Sequence, residues 1–312
     1  MECDFMKLHI LGSGAGLPSK ERHTQCIILD LVDEINQYYC VDVAEGMQHQ
    51  MLNTNIKPSK IKNLFITHLH GDHIYGLPGF LSSRDHQGGK DIPLTIYGPV
   101  GLKKWLEVTL ETSRSHISYP LEIIEVKPFQ SFQVDNMTIE VIPMQHNIEC
   151  FGYIFTEQSE KGELLVSKLR EIGIEPGPIY KEIKESATFE HDGKVYATND
   201  FLGPEKIGRK VIIHGDTRVI TDDDYKEKLD GADIIVHEAT YLDGEIEKAH
   251  QYHHSELSEV LSNFKSIDYG QLLITHISNR YESDDIMRFQ EKYKNDCIFA
   301  SDFLEITIPR KS

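Results

Sequence analysis

Short apolar runs broken by glycine turns recur along this chain, and two periodicities divide them. Residues 6–11 read as a strand that runs into Gly12-Ser13-Gly14-Ala15-Gly16. Residues 26–31 and 38–43 read as a strand pair, the second holding Asp42. Further β-favouring runs lie at 64–67, 94–97, 211–213, 234–236, 272–275 and 297–308, and strict alternation at 121–126 and 137–143. Between them fall helical patterns: 46–52, 78–84, 283–293, and 101–112 with Leu102, Trp105, Leu106 and Leu110 on one face. Strands followed by helices in two successive halves predict an α/β protein, a four-layer αβ/βα sandwich with two sheets face to face and helices outside. The whole of 1–312 reads as one domain.

One stretch departs from this pattern. From about 155 to 190 a short helical spacing (Leu164, Leu165, Leu169, Ile172) is interrupted by Gly173-Ile174-Glu175-Pro176-Gly177-Pro178. It reads as an insertion standing out from the fold. Over 157–190 five basic residues face eight glutamates, so the segment is net acidic.

Composition adds bounds. The 39% hydrophobic and 26% charged content is that of an ordinary soluble protein. No apolar run approaches the roughly 18 residues a membrane helix needs, and Met1-Glu2-Cys3-Asp4 lacks the basic start of a signal peptide. Five cysteines stand singly at Cys3, Cys26, Cys40, Cys150 and Cys297, which suits core fillers in a reducing cytoplasm. The net charge of −18 argues against a protein that holds nucleic acid by its overall field. Bound cations and a local basic face would have to supply the attraction.

The densest chemistry is Phe65-Ile66-Thr67-His68-Leu69-His70-Gly71-Asp72-His73. His68 and His70, two apart at a strand end, project to one side and can grip one ion. Asp72 and His73, past the Gly71 turn, point elsewhere and suit a second. His146, Asp216 and His276 each follow an apolar strand-like run and are candidates for the remaining ligands. Imidazole and carboxylate without thiolate suit zinc, with manganese an alternative. The glycine loop at 12–16 lacks the Gly-Lys-Ser/Thr ending of a nucleotide loop, so it reads as a tight turn at the rim of the site and no nucleotide cofactor is expected. His214 and His237, inside apolar strands, read as core histidines, and His250 and His253 receive no role.

His68-Leu69-His70-Gly71-Asp72-His73 resembles the His-x-His-x-Asp-His signature of the metallo-β-lactamase fold hydrolases. Five further segments narrow the resemblance to the ribonuclease Z family: Gly14-Ala15-Gly16-Leu17-Pro18 followed by Lys20 and Arg22, Gly177-Pro178, His237-Glu238-Ala239-Thr240, His254-Ser255, and Thr275-His276-Ile277-Ser278-Asn279-Arg280-Tyr281. His23 departs from the family, which carries asparagine there. The resemblance implies one zinc held by His68, His70 and His146, another by Asp72, His73 and His276, and Asp216 bridging them. It implies cleavage of precursor tRNA after the discriminator base, with Asp72 as general base and His254 as general acid supported by Glu238. It further implies Lys20, Arg22 and Arg280 at phosphate, an arm carrying Gly177 and Pro178 that clamps the tRNA, and a homodimer whose partner supplies that arm. Ser255 is expected to cap the helix that follows, and Glu238, if buried, to have a cationic or histidine partner. Two other readings fit the ligand motif: a small-molecule hydrolase of the same fold (phosphodiesterase, sulfatase or lactonase), and a non-catalytic RNA-binding protein with a structural metal.

Overall fold

Alternation along each strand sends neighbouring side chains into different cores. Ile27 and Leu29 face one apolar cluster and Ile28 another; Val211 and Ile213 face the first and Ile212 a third. The computed structural model, which describes residues 5–311, turns this pattern into two seven-stranded sheets. Cys3 lies outside the described residues.

The first half supplies β1 (Phe5–Gly12), β2 (Gly14–Ala15), β3 (Cys26–Leu31), β4 (Gln37–Val41), β5 (Ile61–Phe65), β6 (Leu94–Gly98) and β7 (Leu121–Glu125). The second supplies β8 (Ser131–Val134), β9 (Met137–Pro143), β10 (Phe151–Glu157), β11 (Thr188–His191), β12 (Lys194–Ala197), β13 (Lys210–Ile213), β14 (Ala232–Glu238), β15 (Tyr269–Thr275), β16 (Ile277–Ser278), β17 (Ile298–Phe299) and β18 (Glu305–Pro309). One sheet runs β18-β1-β3-β4-β5-β6-β7 and the other β17-β15-β14-β13-β10-β9-β8. In each, one run of strands is parallel (β4, β5, β6 and β7; β13, β14, β15 and β17).

The faces between the sheets share one core that contains Leu8, Tyr39, Phe65, Tyr153, Phe155, Val211 and Val236. Phe65 stacks on Tyr97 at 5.0 Å and meets Phe155 edge-on at 5.0 Å. Outside the first sheet, helices 47–51, 77–84 and 102–113 bury Met47, Phe80, Leu81 and Leu106. Outside the second, helices 223–229, 257–264 and 283–292 bury Tyr225, Leu261, Phe264 and Ile286. This is the expected αβ/βα arrangement. Gly12 shows how close the backbones come: a Cβ there would lie 1.8 Å from the Thr24 carbonyl oxygen.

Two expectations need correction. The run 297–308 is not one strand: β17 joins the second sheet and β18 the first. The interruption is made by Asp302, whose carboxylate accepts from Ser13 N, Ser13 Oγ, His23 N and Gln50 Nε2. The inserted segment also extends beyond 190. Glu157–Arg209 forms its own compact unit, joined by Arg310 near the C-terminus. It holds helices Val166–Glu171 and Ile179–Glu185 and the β11–β12 hairpin around Leu169, Ile174, Ile183 and Phe201. Phe189 stacks on Tyr196 and both meet Phe201 edge-on in that cluster, which is why the hairpin belongs with the helices. Buried Arg209 and Glu157 close the unit in a two-pronged pair, at 2.9 and 3.0 Å. Cys26, Cys40, Cys150 and Cys297 are buried and unbridged, as core fillers should be.

Candidate metal centre and active site

β5 ends at Phe65, and the extended residues after it lead into the one-turn helix Gly71–Ile74. That break separates two pairs of side chains, as the spacing predicts. His68 Nε2 stands 3.0 Å from His70 Nδ1, which is 3.2 Å from His146 Nε2. On the other side His276 Nε2 lies 3.4 Å and His73 Nε2 3.5 Å from Asp72 Oδ2. Asp216, from the loop after β13, reaches both groups. Its Oδ2 is 3.6 Å from His68 Nε2 and 3.9 Å from His146 Nε2, while its Oδ1 is 3.3 Å from His276 Nε2 and 3.4 Å from His73 Nε2. All seven expected ligands therefore converge, in two groups whose donor atoms lie within 4.8 Å of one another.

The donor set suits divalent cations. Burial holds the imidazoles of His68, His70 and His146 below the ordinary histidine pKa, so their lone pairs are available to a metal. Burial by itself would raise the Asp72 and Asp216 carboxyls, but the surrounding histidines outweigh it and hold both well below the usual range. His73 Nε2 and Asp216 Oδ1 are buried without a hydrogen-bond partner, and both are aimed into the cluster.

A further layer orients these ligands, and most of it was not evident from the sequence. Fully buried Asp42 accepts from His73 Nδ1 at 2.7 Å, from Thr67 Oγ1 at 2.9 Å and from Thr67 N at 2.8 Å. Asp42 was legible only as an acid near the end of a strand. Thr240 Oγ1 lies 2.9 Å from His276 Nδ1, His146 Nδ1 donates to the His253 carbonyl at 3.0 Å, and Gly16 N donates to Asp72 Oδ2 at 2.8 Å. His253, expected to have no role, thus orients a ligand candidate through its backbone carbonyl, which its side-chain type could not show. Asp42, His253 and His276 all have left-handed φ values of 53–60°, so three of the residues that hold the site carry backbone strain. The β2–β16 pair ties the loop after β1 to the loop after β15 across the site.

His254 stands beside the cluster, its Nδ1 2.8 Å from Glu238 Oε1 and 3.9 Å from Asp216 Oδ2. Burial opposes the imidazolium, but the Glu238 carboxylate lifts its pKa to about 9. Buried Glu238 has the histidine partner expected of it and also accepts from Thr217 N and Thr240 N. Ser255 does not cap the next helix: its hydroxyl donates to the Thr217 carbonyl, and Glu256 occupies the cap position. His214 and His237 are core residues, each with one ring nitrogen bonded, to Tyr225 and to the Glu238 carbonyl.

The expected phosphate contacts are placed less uniformly. Lys20 is exposed and lines a cavity of about 430 Å³ with Glu21, Glu282 and Asp284. Arg22 donates to Ser13 Oγ and the Ala300 carbonyl. Arg280 donates to Glu245 and stacks 5.0 Å over Tyr241. Gly177 and Pro178 lie in the inserted unit at the start of helix Ile179–Glu185.

Comparison with known proteins agrees with this geometry. The family model described as anti-Pycsar protein Apyc1 matches residues 6–167, a span that holds five of the seven ligand candidates. Ribonuclease Z of Staphylococcus aureus is 44% identical over 281 residues, 90% of this chain and 91% of the relative. The structure of human tRNase Z, short form, superposes with a TM-score of 0.71 at 25% identity, over 97% of this chain and 100% of that one. The metallo-β-lactamase fold protein YhfI from Bacillus subtilis gives 0.67 at 15% identity over 97% and 100%, and supports the fold alone. With the expected ligands converging and so long a match, this chain belongs to the ribonuclease Z family and is a nuclease of that type.

Proposed function

We propose that this protein is an endoribonuclease that removes the 3′ trailer from precursor tRNA after the discriminator base, leaving a 3′-hydroxyl on the tRNA and a 5′-phosphate on the trailer. The observation that carries it is the pair of ligand groups with Asp216 reaching into both, in a chain 44% identical to ribonuclease Z over 90% of its length. His68, His70 and His146 would hold one zinc or manganese ion, Asp72, His73 and His276 the other, with Asp216 between them. When bound, two such cations acidify an attacking water and stabilise charge on the phosphate oxygens.

The chain's own groups do the rest. Asp72, ionised and held by the Gly16 N–H, accepts a proton from the attacking water and aligns it with the phosphorus. His254, protonated at neutral pH because Glu238 faces its Nδ1, donates to the departing 3′ oxygen. Glu238 keeps that imidazole charged and oriented. Lys20, Arg22 and Arg280 neutralise RNA phosphates, and the unit Glu157–Arg209, with Gly177 and Pro178, binds the tRNA body. The protein works as a cytoplasmic homodimer, its partner's unit serving each site. Among the described residues no helix is long and apolar enough to cross a membrane.

The test is cleavage of a labelled precursor tRNA by metal-stripped protein after zinc or manganese is restored, comparing the wild type with Asp72→Ala. Metal-dependent cutting at the discriminator that Asp72→Ala abolishes supports the reading. Turnover of bis(p-nitrophenyl) phosphate without any RNA cut overturns it in favour of small esters.

A further inference from the structure

The turn that carries four of the seven ligand candidates also carries an exposed aromatic ring. Tyr75 ends the one-turn helix Gly71–Ile74, two residues beyond His73. Its neighbour Ile74 is 2% exposed, whereas Tyr75 leaves 64% of its surface to solvent. The ring lies back against its own turn. A Cβ on Gly71 would lie 2.1 Å from Tyr75 Cε2 and 2.4 Å from Cζ, so the ring rests against the backbone between His70 and Asp72. Gly16 reaches the same turn through Asp72, and the residue after it, Leu17, is 67% exposed. An aromatic ring that rests on the backbone of the ligand-bearing turn and stays open to water is suited to receiving a flat apolar face.

We infer that Tyr75 is the stacking platform for a nucleobase, that of the first nucleotide on the 3′ side of the cut, with Leu17 adding apolar surface on the Asp72 side. The inference rests on the nuclease reading above. Single-stranded RNA is read largely by stacking its unpaired bases on aromatic side chains. His254, which meets the departing 3′ oxygen, comes from the segment after β14 in the second sheet, and Tyr75 from the turn after β5 in the first. In this assignment a strand with its 3′ oxygen at His254 runs its 5′ portion over the second sheet's loops and its trailer toward the turn after β5, which sets the first trailer base on Tyr75.

The experiment is a cycle of kcat/KM values with zinc-loaded protein. Wild type, Tyr75→Ala and Tyr75→Phe are each assayed on precursor RNA with an ordinary or an abasic first trailer nucleotide. Tyr75→Ala should lose about 10-fold to 100-fold on the ordinary substrate, mainly through KM. Tyr75→Phe should stay within about twofold of wild type, because the ring does the stacking. On the abasic substrate the three proteins should coincide, and wild type should itself lose what Tyr75→Ala loses. Equal rates for wild type and Tyr75→Ala on ordinary RNA, or a loss that persists on abasic RNA, overturn the platform and leave the nuclease reading standing. Failure of wild type to cut any precursor RNA overturns that reading and the platform with it.

Discussion

Replacing Asp42 by asparagine removes the negative charge behind His73 while keeping the side-chain size and a residue that tolerates its φ of 60°. Asp42 is fully buried and accepts three hydrogen bonds: one on Oδ1 from Thr67 N, and two on Oδ2 from Thr67 Oγ1 and His73 Nδ1. An amide with its oxygen toward His73 turns its NH₂ onto the Thr67 N–H, a buried donor left unsatisfied at a cost of about 1–3 kcal/mol. That part is independent of metal. The second part is not, because the Asp42 carboxylate fixes the proton on His73 Nδ1, strengthens Nε2 as a donor and aims it at Asp216. Losing such a partner typically weakens metal binding about 10-fold to 100-fold, or about 1.4–2.7 kcal/mol. The assay separates the two by measuring thermal unfolding of metal-stripped and zinc-saturated protein, together with zinc content after dialysis against a competing chelator. The stabilisation added by zinc should shrink by those 1.4–2.7 kcal/mol, about 2–4 °C in a chain of this size. A folded Asp42→Asn protein with unchanged zinc content and an unchanged zinc-induced shift would refute the role given to Asp42.

Other expectations follow from the same contacts. Glu238→Gln removes the charge that lifts His254 to about 9, so the imidazolium loses its proton at lower pH. A general acid works only while protonated, so the alkaline limb of the pH–rate profile should move down by about two pH units, toward the ordinary histidine value; an unmoved limb contradicts the assignment of His254. Stripping metal leaves Asp216, His73 and His276 without the cations that fit between them, so the apo protein should melt several degrees lower and recover on adding zinc. In the inserted unit, Arg209→Met strands the buried Glu157 carboxylate with Arg310 as a remaining partner. It should destabilise the unit by about 3 kcal/mol and speed proteolysis within 157–209, while Arg209→Met combined with Glu157→Gln recovers much of the loss. If the double substitution is no better than the single one, the buried pair does not account for the unit's stability.

Much of the site was legible because its chemistry is local. His68, His70, Asp72 and His73 lie within six positions, and a strand end followed by Gly71 is enough to divide them into two groups. His146, Asp216 and His276 could be proposed because each follows an apolar run, but family correspondence was needed to choose them from sixteen histidines and many acids. The helix start at 255–257 was misread for a related reason. A serine before a helix looks like a cap, yet Ser255 Oγ is drawn to the carbonyl of Thr217, 38 positions away, which no local pattern shows.

The sequence by itself therefore determined the layering and the crowding of ligands at one turn. Period-two and helical patterns reflect which faces leave water, and a motif within one turn needs no distant partner to form. Only the tertiary structure decided what lies behind the ligands and how the charges are used. Asp42 meets His73 31 residues on, and Thr240 meets His276 36 residues on. Arg22 is directed to Ser13 and the Ala300 carbonyl, the latter 278 residues away. The inserted unit extends to Arg209 because Arg209 pairs with Glu157 from 52 residues earlier. Hydrogen bonds and buried ion pairs depend on ångström-scale proximity, and here strands from distant parts of the chain bring the partners together.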